Sequence, residues 1–202
     1  MTAPRRSRGP ARPSPELEVK ARITDVAALR RALQRAGARL EFRGRMSDRR
    51  YDRARELARR DDVLRLRVYR PEGRGGRSGH AELAWKGAAS TRRGRRGGYQ
   101  LRAELEVAVA DADAMDRLLA RLRYRVSLRI DRRIEVYRLG AAVLRLERYP
   151  RMDTLLEVEG PPAAIERAVA ATGLPRQRFL PKSLPHFAAA YRRRTGRRAR
   201  LA

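Results

Sequence analysis

Cysteine is absent from the 202 residues of this chain, and histidine occurs only at His80 and His186. The chain therefore forms no disulfide, thiolate metal site or cysteine nucleophile. Two histidines far apart in sequence argue against a histidine zinc site and against a Ser-His-Asp triad. Any metal then has to bind carboxylates, whose oxygen ligands favour Mg²⁺ or Mn²⁺ over zinc.

Long apolar runs are also missing, since no segment approaches the roughly 20 residues that a membrane-spanning helix needs. The N-terminal segment, residues 1–15, is basic but lacks the apolar core of a secretory signal. The sequence therefore predicts a cytoplasmic protein without a membrane partner. A chain of 202 residues suits one domain with a hydrophobic core, in a monomer or a homodimer.

Positive charge is present in large excess, with 50 Lys and Arg against 23 Asp and Glu and a formal net charge of +27. Such a balance implies attraction to polyanions, although biased codon usage explains the same excess without a function. Residues 1–14 predict a disordered basic arm, and residues 191–202 form a second basic tail. Both predict nonspecific binding of polyanions. The Gly/Arg-rich stretches 71–79 and 89–98 predict mobile loops between strands.

Between these segments the sequence alternates with a period of two, the pattern of β-strands. Strands are predicted near 16–23, 40–51, 62–70, 80–87, 99–109, 124–138, 141–149 and 154–159. Helices are predicted from Asp25 to Gly37, after Asp111, from Pro161-Pro162 to Gly173, and over 183–194. Eight strands with few helices predict an α+β protein built on an antiparallel sheet or barrel.

Charged residues occupy one face of most of these strands, because residues i and i+2 of a strand share a face. These positions are almost purely Glu and Arg, whereas a solvent-exposed face carries mixed polar residues. Two carboxylates on neighbouring same-face positions repel each other unless a cation lies between them. Glu-x-Glu on three strands therefore favours a site in which divalent metal ions and arginines bind phosphate. Closing the sheet into a barrel would gather these faces; the alternative is a sheet with one face packed on helices and the other in solvent.

Six short motifs follow one another along the chain. They are Glu16-Leu17-Glu18-Val19-Lys20, Arg49-Arg50-Tyr51-Asp52, Leu64-Arg65-Leu66-Arg67, Trp85-Lys86-Gly87, Arg102-Ala103-Glu104-Leu105-Glu106 and Leu155-Leu156-Glu157-Val158-Glu159. Over about residues 15–190 this series resembles the CYTH superfamily, the triphosphate tunnel metalloenzymes, which include class IV adenylate cyclases, thiamine triphosphatases and inorganic triphosphatases. The resemblance implies a closed antiparallel eight-stranded β-barrel with flanking helices. It also implies a C-terminal plug helix that begins at Lys182-Ser183.

The resemblance further implies roles for individual residues. The triphosphate-binding residues would be Lys20, Arg65, Arg67, Lys86, Arg102, Arg132, Arg133 and Lys182, with Lys20, Arg65 and Arg67 acting in catalysis. The metal-binding residues would be Glu16, Glu18, Glu157 and Glu159, with Glu104, Glu106 and Glu147 in support. Glu147 stands where the superfamily usually has Asp, and Asp153-Thr154-Leu155 replaces a common Gly-x-Phe. These departures leave the substrate open.

The leading hypothesis is metal-dependent hydrolysis of inorganic triphosphate, thiamine triphosphate or a nucleoside triphosphate. The alternative at the same site is an adenylate cyclase, in which the 3′-hydroxyl of ATP attacks the α-phosphorus and releases pyrophosphate. Hydrolysis is favoured because it needs no adenine pocket. A further alternative is a nucleic-acid or polyphosphate binding module. Only Tyr51, Tyr69, Trp85 and Tyr99 lie near the basic strands, so the support for base stacking is small.

Overall fold

The alternating segments form strands in the computed structural model of the protein, which describes residues 14–73, 79–94 and 97–202. Within these ranges the strands are β1 (Ser14–Ile23), β2 (Arg39–Asp52), β3 (Val63–Pro71), β4 (His80–Lys86), β5 (Ser90–Gly94), β6 (Gly97–Val109), β7 (Arg125–Leu139), β8 (Ala142–Arg148) and β9 (Thr154–Glu159). The barrel order is β1–β9–β8–β7–β2–β3–β4–β6, and antiparallel pairing of β6 with β1 closes it. The predicted α+β fold with a closed antiparallel eight-stranded barrel is confirmed.

The remaining strand, β5, lies outside the barrel and corrects one expectation. The sequence predicts a loop over 89–98, whereas Ser90–Gly94 pairs with the first residues of β6. Every residue of β5 is exposed, so this strand has no buried face and no apolar alternation that would mark it in the sequence. Residues 95–96, residues 74–78 of the other predicted loop, and residues 1–13 of the predicted arm lie outside the described residues.

The α-helices within the described residues are α1 (Val26–Arg35), α2 (Glu56–Arg59), α3 (Ala112–Arg121), α4 (Pro162–Ala171) and α5 (Leu184–Thr195), and a single 3₁₀ turn spans Arg176–Arg178. The carboxylates of Asp25 and Asp111 begin α1 and α3, because each accepts a hydrogen bond from a backbone N–H of the first turn. The sequence does not predict α2, a single turn of four residues. Among the described helices, none is long and apolar enough to cross a bilayer.

The main hydrophobic core lies between the barrel wall and the helices. Outward-facing Leu17 and Val19 of β1 pack in one buried cluster with Leu29 and Leu33 of α1. The same cluster includes Leu144, Leu146, Leu156 and Val158 of β8 and β9, and Ile165, Ala168 and Val169 of α4. Because the outer face of the wall buries the apolar surface, the inner face is free to carry charge.

An apolar cluster fills one end of the barrel interior. It consists of Phe42, Met46, Tyr69 and Ile134, which lie on inward strand faces and are buried. Phe42 meets Tyr69 edge to face with 5.6 Å between the ring centroids, and His80 stacks on Tyr69 at 4.1 Å. The cluster covers the inner faces of β2, β3 and β7 at that end, and its aromatic contacts hold it together.

The start of α5 borders the other end of the barrel. Leu184 and Phe187 pack there with Ile130 and Leu155. Ile130 and Ile134 lie on the same face of β7 four residues apart, so the two clusters are about 13 Å apart along the strand. A cavity of the barrel interior borders Ile130 and Leu184 of the second cluster.

The basic C-terminal segment, predicted as a tail over 191–202, packs against the barrel. The boundary expected at residue 190 lies inside α5, which continues to Thr195. Beyond the helix, the carbonyl of Leu201 accepts a hydrogen bond from the backbone N–H of Asp131 at 2.6 Å. Arg200 pairs with Arg151 through a two-residue bridge. Backbone pairing therefore anchors a segment whose composition carries almost no apolar signal.

Candidate functional site: a charged cavity inside the barrel

The barrel interior contains a central cavity of about 150 Å³ between the two apolar ends. Its cationic lining residues are Lys20, Arg50, Arg65, Arg67, Lys86, Arg102 and Arg132, and its carboxylates are Glu18, Asp48, Asp61, Glu147 and Glu157. Ser183, Leu184 and Pro185 at the start of α5 complete one side. Six of the eight predicted triphosphate-binding residues therefore meet in one cavity, in which cations outnumber carboxylates.

Carboxylates on β1 and β9 form one wall of the cavity. Lys20 lies directly opposite Glu157; its ammonium contacts Glu157 at 2.8 Å and also pairs with Glu18. Burial raises the pKa of Glu18, Lys20 opposes that rise, and the negative charges of Glu157 and Glu16 add to it. The carboxylates are therefore crowded, and a further cation beside them would be stabilised.

A second lysine, Lys86 on β4, bridges two more acidic residues. It pairs with Glu16 and lies 3.3 Å from Glu104. Against the effect of burial, Lys86 lowers the pKa of Glu16 to about 2. Burial, helped by the charge of Glu16, raises the pKa of Glu104 to about 7. At neutral pH Glu16 is therefore ionised, whereas Glu104 is only partly ionised.

Asp48 on β2 is the buried centre of the opposite wall. Its carboxylate accepts a hydrogen bond from Arg67 at 2.8 Å and lies 2.9 Å from Arg132. Arg132 also donates to Glu147 at 2.8 Å. Burial alone would raise the pKa of Asp48, but Arg67 and Arg132 hold it well below its usual range. Asp48 therefore stays ionised and fixes the positions of two guanidinium groups.

Three arginines of the cavity carry buried N–H groups that meet no acceptor. The Nε atoms of Arg50 and Arg65 and the Nη1 atom of Arg132 lack a hydrogen-bond partner within the described chain. Burial is the main reason that the pKa of Arg50 falls to about 10, and the charges of Arg65 and Arg132 contribute to the fall. Buried donors without partners are costly. A ligand that brings several acceptor oxygens and negative charge would relieve this cost.

Six predicted site residues do not line the central cavity: Glu16 and Glu104, which pair with Lys86 at its edge, and Glu106, Arg133, Lys182 and Glu159. Arg133 points to the outside of β7, where it lies 3.4 Å from Glu72 with 57% of its side chain exposed. Lys182 is exposed just before α5 and does not line the cavity. Glu159 pairs with Arg145 and does not line the cavity. The alternating faces of β7 thus place only the first residue of the predicted basic pair at the site.

Glu106 on β6 is exposed and shares a hydrogen bond with Glu82, which raises the pKa of Glu106 to about 8. A carboxyl that holds a proton at neutral pH is a poor metal ligand. The pKa of Glu106 in the folded protein exceeds that of a free carboxyl. The hydrogen bond with Glu82 therefore stabilises the folded protein fully in acid, and this contribution is lost as the pH rises through about 8.

We expect Glu106→Gln to keep the hydrogen bond to Glu82 without needing the proton. The melting temperature of the parent should then fall between about pH 6 and about pH 9 more steeply than that of the variant. Calorimetry of both proteins across this range measures the difference. Parallel pH profiles would contradict the shared proton.

The structure also brings into the cavity residues to which the sequence analysis gives no role. The polar and charged ones are Asp48, Arg50, Asp61, Gln100 and Tyr149. The outward neighbours of Asp48 on β2 are Ser47 and Arg49, so this segment lacks the apolar alternation that marks an inner face. The only available signal was the two-residue spacing of residues 46, 48 and 50, which places them on one face of the strand.

The resemblance to the CYTH superfamily implies a closed antiparallel barrel, and solved structures share this fold. A candidate adenylate cyclase from Vibrio parahaemolyticus matches with a TM-score of 0.68 and 17% identity, over 86% of this chain and 97% of that chain. HpAC1 from Hippeastrum, a candidate adenylyl cyclase with a dominant triphosphatase activity, matches with a TM-score of 0.58 and 17% identity, over 92% and 98%. The fold expected for a CYTH protein is therefore confirmed.

The same fold also occurs in a different setting. A chain of the Schizosaccharomyces pombe Mediator head module matches with a TM-score of 0.56 and 12% identity, over 78% of this chain and 90% of that chain. No family model and no curated protein matches this sequence. Since identities this low establish the fold alone, the function has to be argued from the site.

Proposed function

We propose that the protein binds the triphosphate group of its substrate in the central cavity and hydrolyses it with Mg²⁺ or Mn²⁺. The observation that carries this proposal is the set of buried guanidinium donors without acceptors on Arg50, Arg65 and Arg132. Phosphate oxygens accept hydrogen bonds from such guanidinium groups in a two-point geometry, which makes arginine the preferred residue for phosphate. The triphosphatase activity of the Hippeastrum protein agrees with this substrate class.

The size of the central cavity supports a triphosphate group inside it and any organic part outside. Its volume of about 150 Å³ is smaller than the roughly 300–1,000 Å³ of pockets that enclose drug-sized ligands. The organic part of a substrate would then lie at the opening beside Arg102, which contacts Asp61 at 3.1 Å. Hydrolysis needs no enclosed base, whereas cyclisation requires the ribose to be held against the α-phosphorus. Hydrolysis is therefore favoured over cyclisation.

Some cations of the cavity would act in catalysis, and the others would bind the remaining phosphate oxygens. Lys20, Arg65 and Arg67 would neutralise the charge that develops on the transferred phosphoryl group. Arg67 is held in place by Asp48 before any ligand arrives, so little reorganisation is needed. The remaining phosphate oxygens would be bound by Lys86, Arg102 and Arg132, which line the same cavity.

The carboxylates on β1 and β9 fit a divalent cation by their chemistry. Glu16, Glu18 and Glu157 are largely buried oxygen donors whose mutual repulsion a cation would relieve. Among the described residues, no three acidic side chains are already grouped as a metal site, because Lys20 and Lys86 lie between them. The bound ion would supply activation of water and neutralisation of phosphate charge. Displaced from its carboxylates, Lys20 would be free to bind phosphate.

Product analysis tests the proposal and its alternatives. The protein is incubated with tripolyphosphate, thiamine triphosphate or ATP, each with Mg²⁺ or Mn²⁺. Release of orthophosphate supports the hydrolase, whereas cyclic AMP with pyrophosphate identifies a cyclase. Absence of turnover with all three, together with tight and salt-sensitive binding of RNA or DNA, would refute the enzyme and support a nucleic-acid binding protein.

Arg50 should show opposite effects on stability and on binding. We expect Arg50→Met to raise the melting temperature of the free protein, because it removes a buried cation that has no ion pair in the described chain. The same change should weaken tripolyphosphate binding by about tenfold to a hundredfold, since it removes charged hydrogen-bond donors. Calorimetry and isothermal titration measure the two effects.

Arg39→Met is the matched control for this prediction. Arg39 lies on the same strand, β2, with 76% of its side chain exposed. It should leave tripolyphosphate affinity within about twofold. Equal losses of affinity in the two variants would contradict the role of Arg50.

A further inference from the structure

A row of four arginines crosses the outer wall of the barrel. Arg70 on β3 lies directly opposite Arg45 on β2, Arg45 lies opposite Arg133 on β7, and Arg133 lies opposite Arg148 on β8. Neighbouring strands are about 4.8 Å apart, so the row spans about 14 Å. We call these four residues the arginine row.

The charges of the arginine row are poorly compensated. Arg133 lies 3.4 Å from Glu72, and Arg148 lies 3.4 Å from Glu135. Within the described part of the chain, Arg45 and Arg70 make no ion pair. Like charges placed directly opposite one another on a sheet destabilise it. The free protein therefore carries a cost here that an anion lying along the row would remove.

The arginine row also lines an outer cavity of about 540 Å³. Asp131 is the one carboxylate among the described residues of that lining. A smaller neighbouring cavity shares Arg70 and Asp131 with it and adds Arg49 and Arg129, which again lie directly opposite each other. The two cavities adjoin along Arg70 and Asp131 and form a groove with six arginines on the outward strand faces. The outer cavity shares Arg132 and Tyr149 of its lining with the central cavity, but the six arginines of the groove do not line the central cavity.

We propose that this groove binds a linear inorganic polyphosphate chain. The arginines are spaced along a line, and their guanidinium groups suit successive phosphate groups of an extended chain. Tyr149 is the one aromatic residue among the described residues of the outer cavity lining, and its hydroxyl donates to Glu147 inside the barrel. The groove therefore offers no free aromatic surface for bases, which a single-stranded nucleic acid would use for stacking.

The inference does not rest on the proposed hydrolysis, because none of the six arginines of the groove lines the central cavity. Binding along the groove should persist whether or not the protein hydrolyses triphosphates. It should also have its own salt dependence, since several phosphates are neutralised at once.

The test uses Arg45→Gln with Arg70→Gln in the full-length protein. We expect its affinity for long-chain polyphosphate at low salt to fall about tenfold or more. The melting temperature without ligand should rise, because the opposed charges are removed. Tripolyphosphate turnover should stay within about twofold of the parent. Arg31→Gln with Arg35→Gln on exposed positions of α1 is the matched control, and it should change polyphosphate affinity by less than about twofold.

Three outcomes of this experiment would overturn the proposal. Equal losses in the two double variants would mean that net charge alone attracts polyphosphate. A melting temperature that does not rise would mean that the arginine row stores no repulsion. Tighter binding of single-stranded RNA than of polyphosphate, lost in the Arg45 and Arg70 variant, would make the groove a nucleic-acid surface.

Discussion

A protein in which Glu16 and Glu18 are both replaced by glutamine is expected to lose metal-dependent tripolyphosphate hydrolysis by about a hundredfold or more. The change removes two of the carboxylates that would hold the divalent ion. The barrel should remain folded, because Lys20 keeps its contact with Glu157 and Lys86 keeps its contact with Glu104. Phosphate release as a function of Mg²⁺ concentration, together with Mn²⁺ binding by calorimetry, measures the loss.

The control for this experiment removes the same charge from the surface. Glu56→Gln with Glu72→Gln replaces two carboxylates whose side chains are 41% and 39% exposed. Turnover and Mn²⁺ affinity should both stay close to those of the parent. Full turnover in the Glu16 and Glu18 variant would contradict the metal site, and so would lost turnover with unchanged Mn²⁺ affinity.

Asp48→Asn is expected to produce the largest loss of stability, about 3 kcal/mol or more in the free energy of unfolding. The side chain is 2% exposed and balances both Arg67 and Arg132. Without its charge, those two guanidinium groups and the uncompensated Arg50 repel one another in a buried space. Urea unfolding measures the loss.

Tripolyphosphate should restore much of the stability lost in the Asp48 variant, because its oxygens replace the missing anion and it binds only the folded protein. Glu56→Gln, on the exposed pair with Arg53, should unfold like the parent with or without tripolyphosphate. A loss no larger than that of this control would contradict the central role of Asp48. Failure of tripolyphosphate to restore stability would contradict anion binding in the central cavity.

The barrel strands could be predicted because most of them alternate apolar residues with charged or polar ones, whichever face the apolar residues occupy. This pattern gave the bounds of strands such as β7 and β9 to within about two residues. It failed for β5, whose residues are exposed on both faces. The short helix α2 was missed for a related reason, since four residues are too few to show a helical period.

The members of the candidate site were harder to predict than the strands. Alternation along a strand separates inward-facing from outward-facing residues, but an error of one residue in the assignment exchanges the two faces. Arg132 and Arg133 illustrate this, since one lines the central cavity and the other lies on the outer wall. The partners of each charge depend on pairing between strands far apart in sequence. The bridge from Arg67 to Arg132 through Asp48 could therefore not be foreseen from local pattern.

The apolar cluster of Phe42, Met46, Tyr69 and Ile134 narrows one end of the barrel interior. If triphosphate binds in the central cavity as proposed, a phosphate chain would have to enter from the other end with its terminal phosphate first. Such an enzyme would shorten chains from their ends and would not cut them in the middle. Its product would leave by the route through which the next substrate arrives, so accumulating phosphate would delay each new cycle.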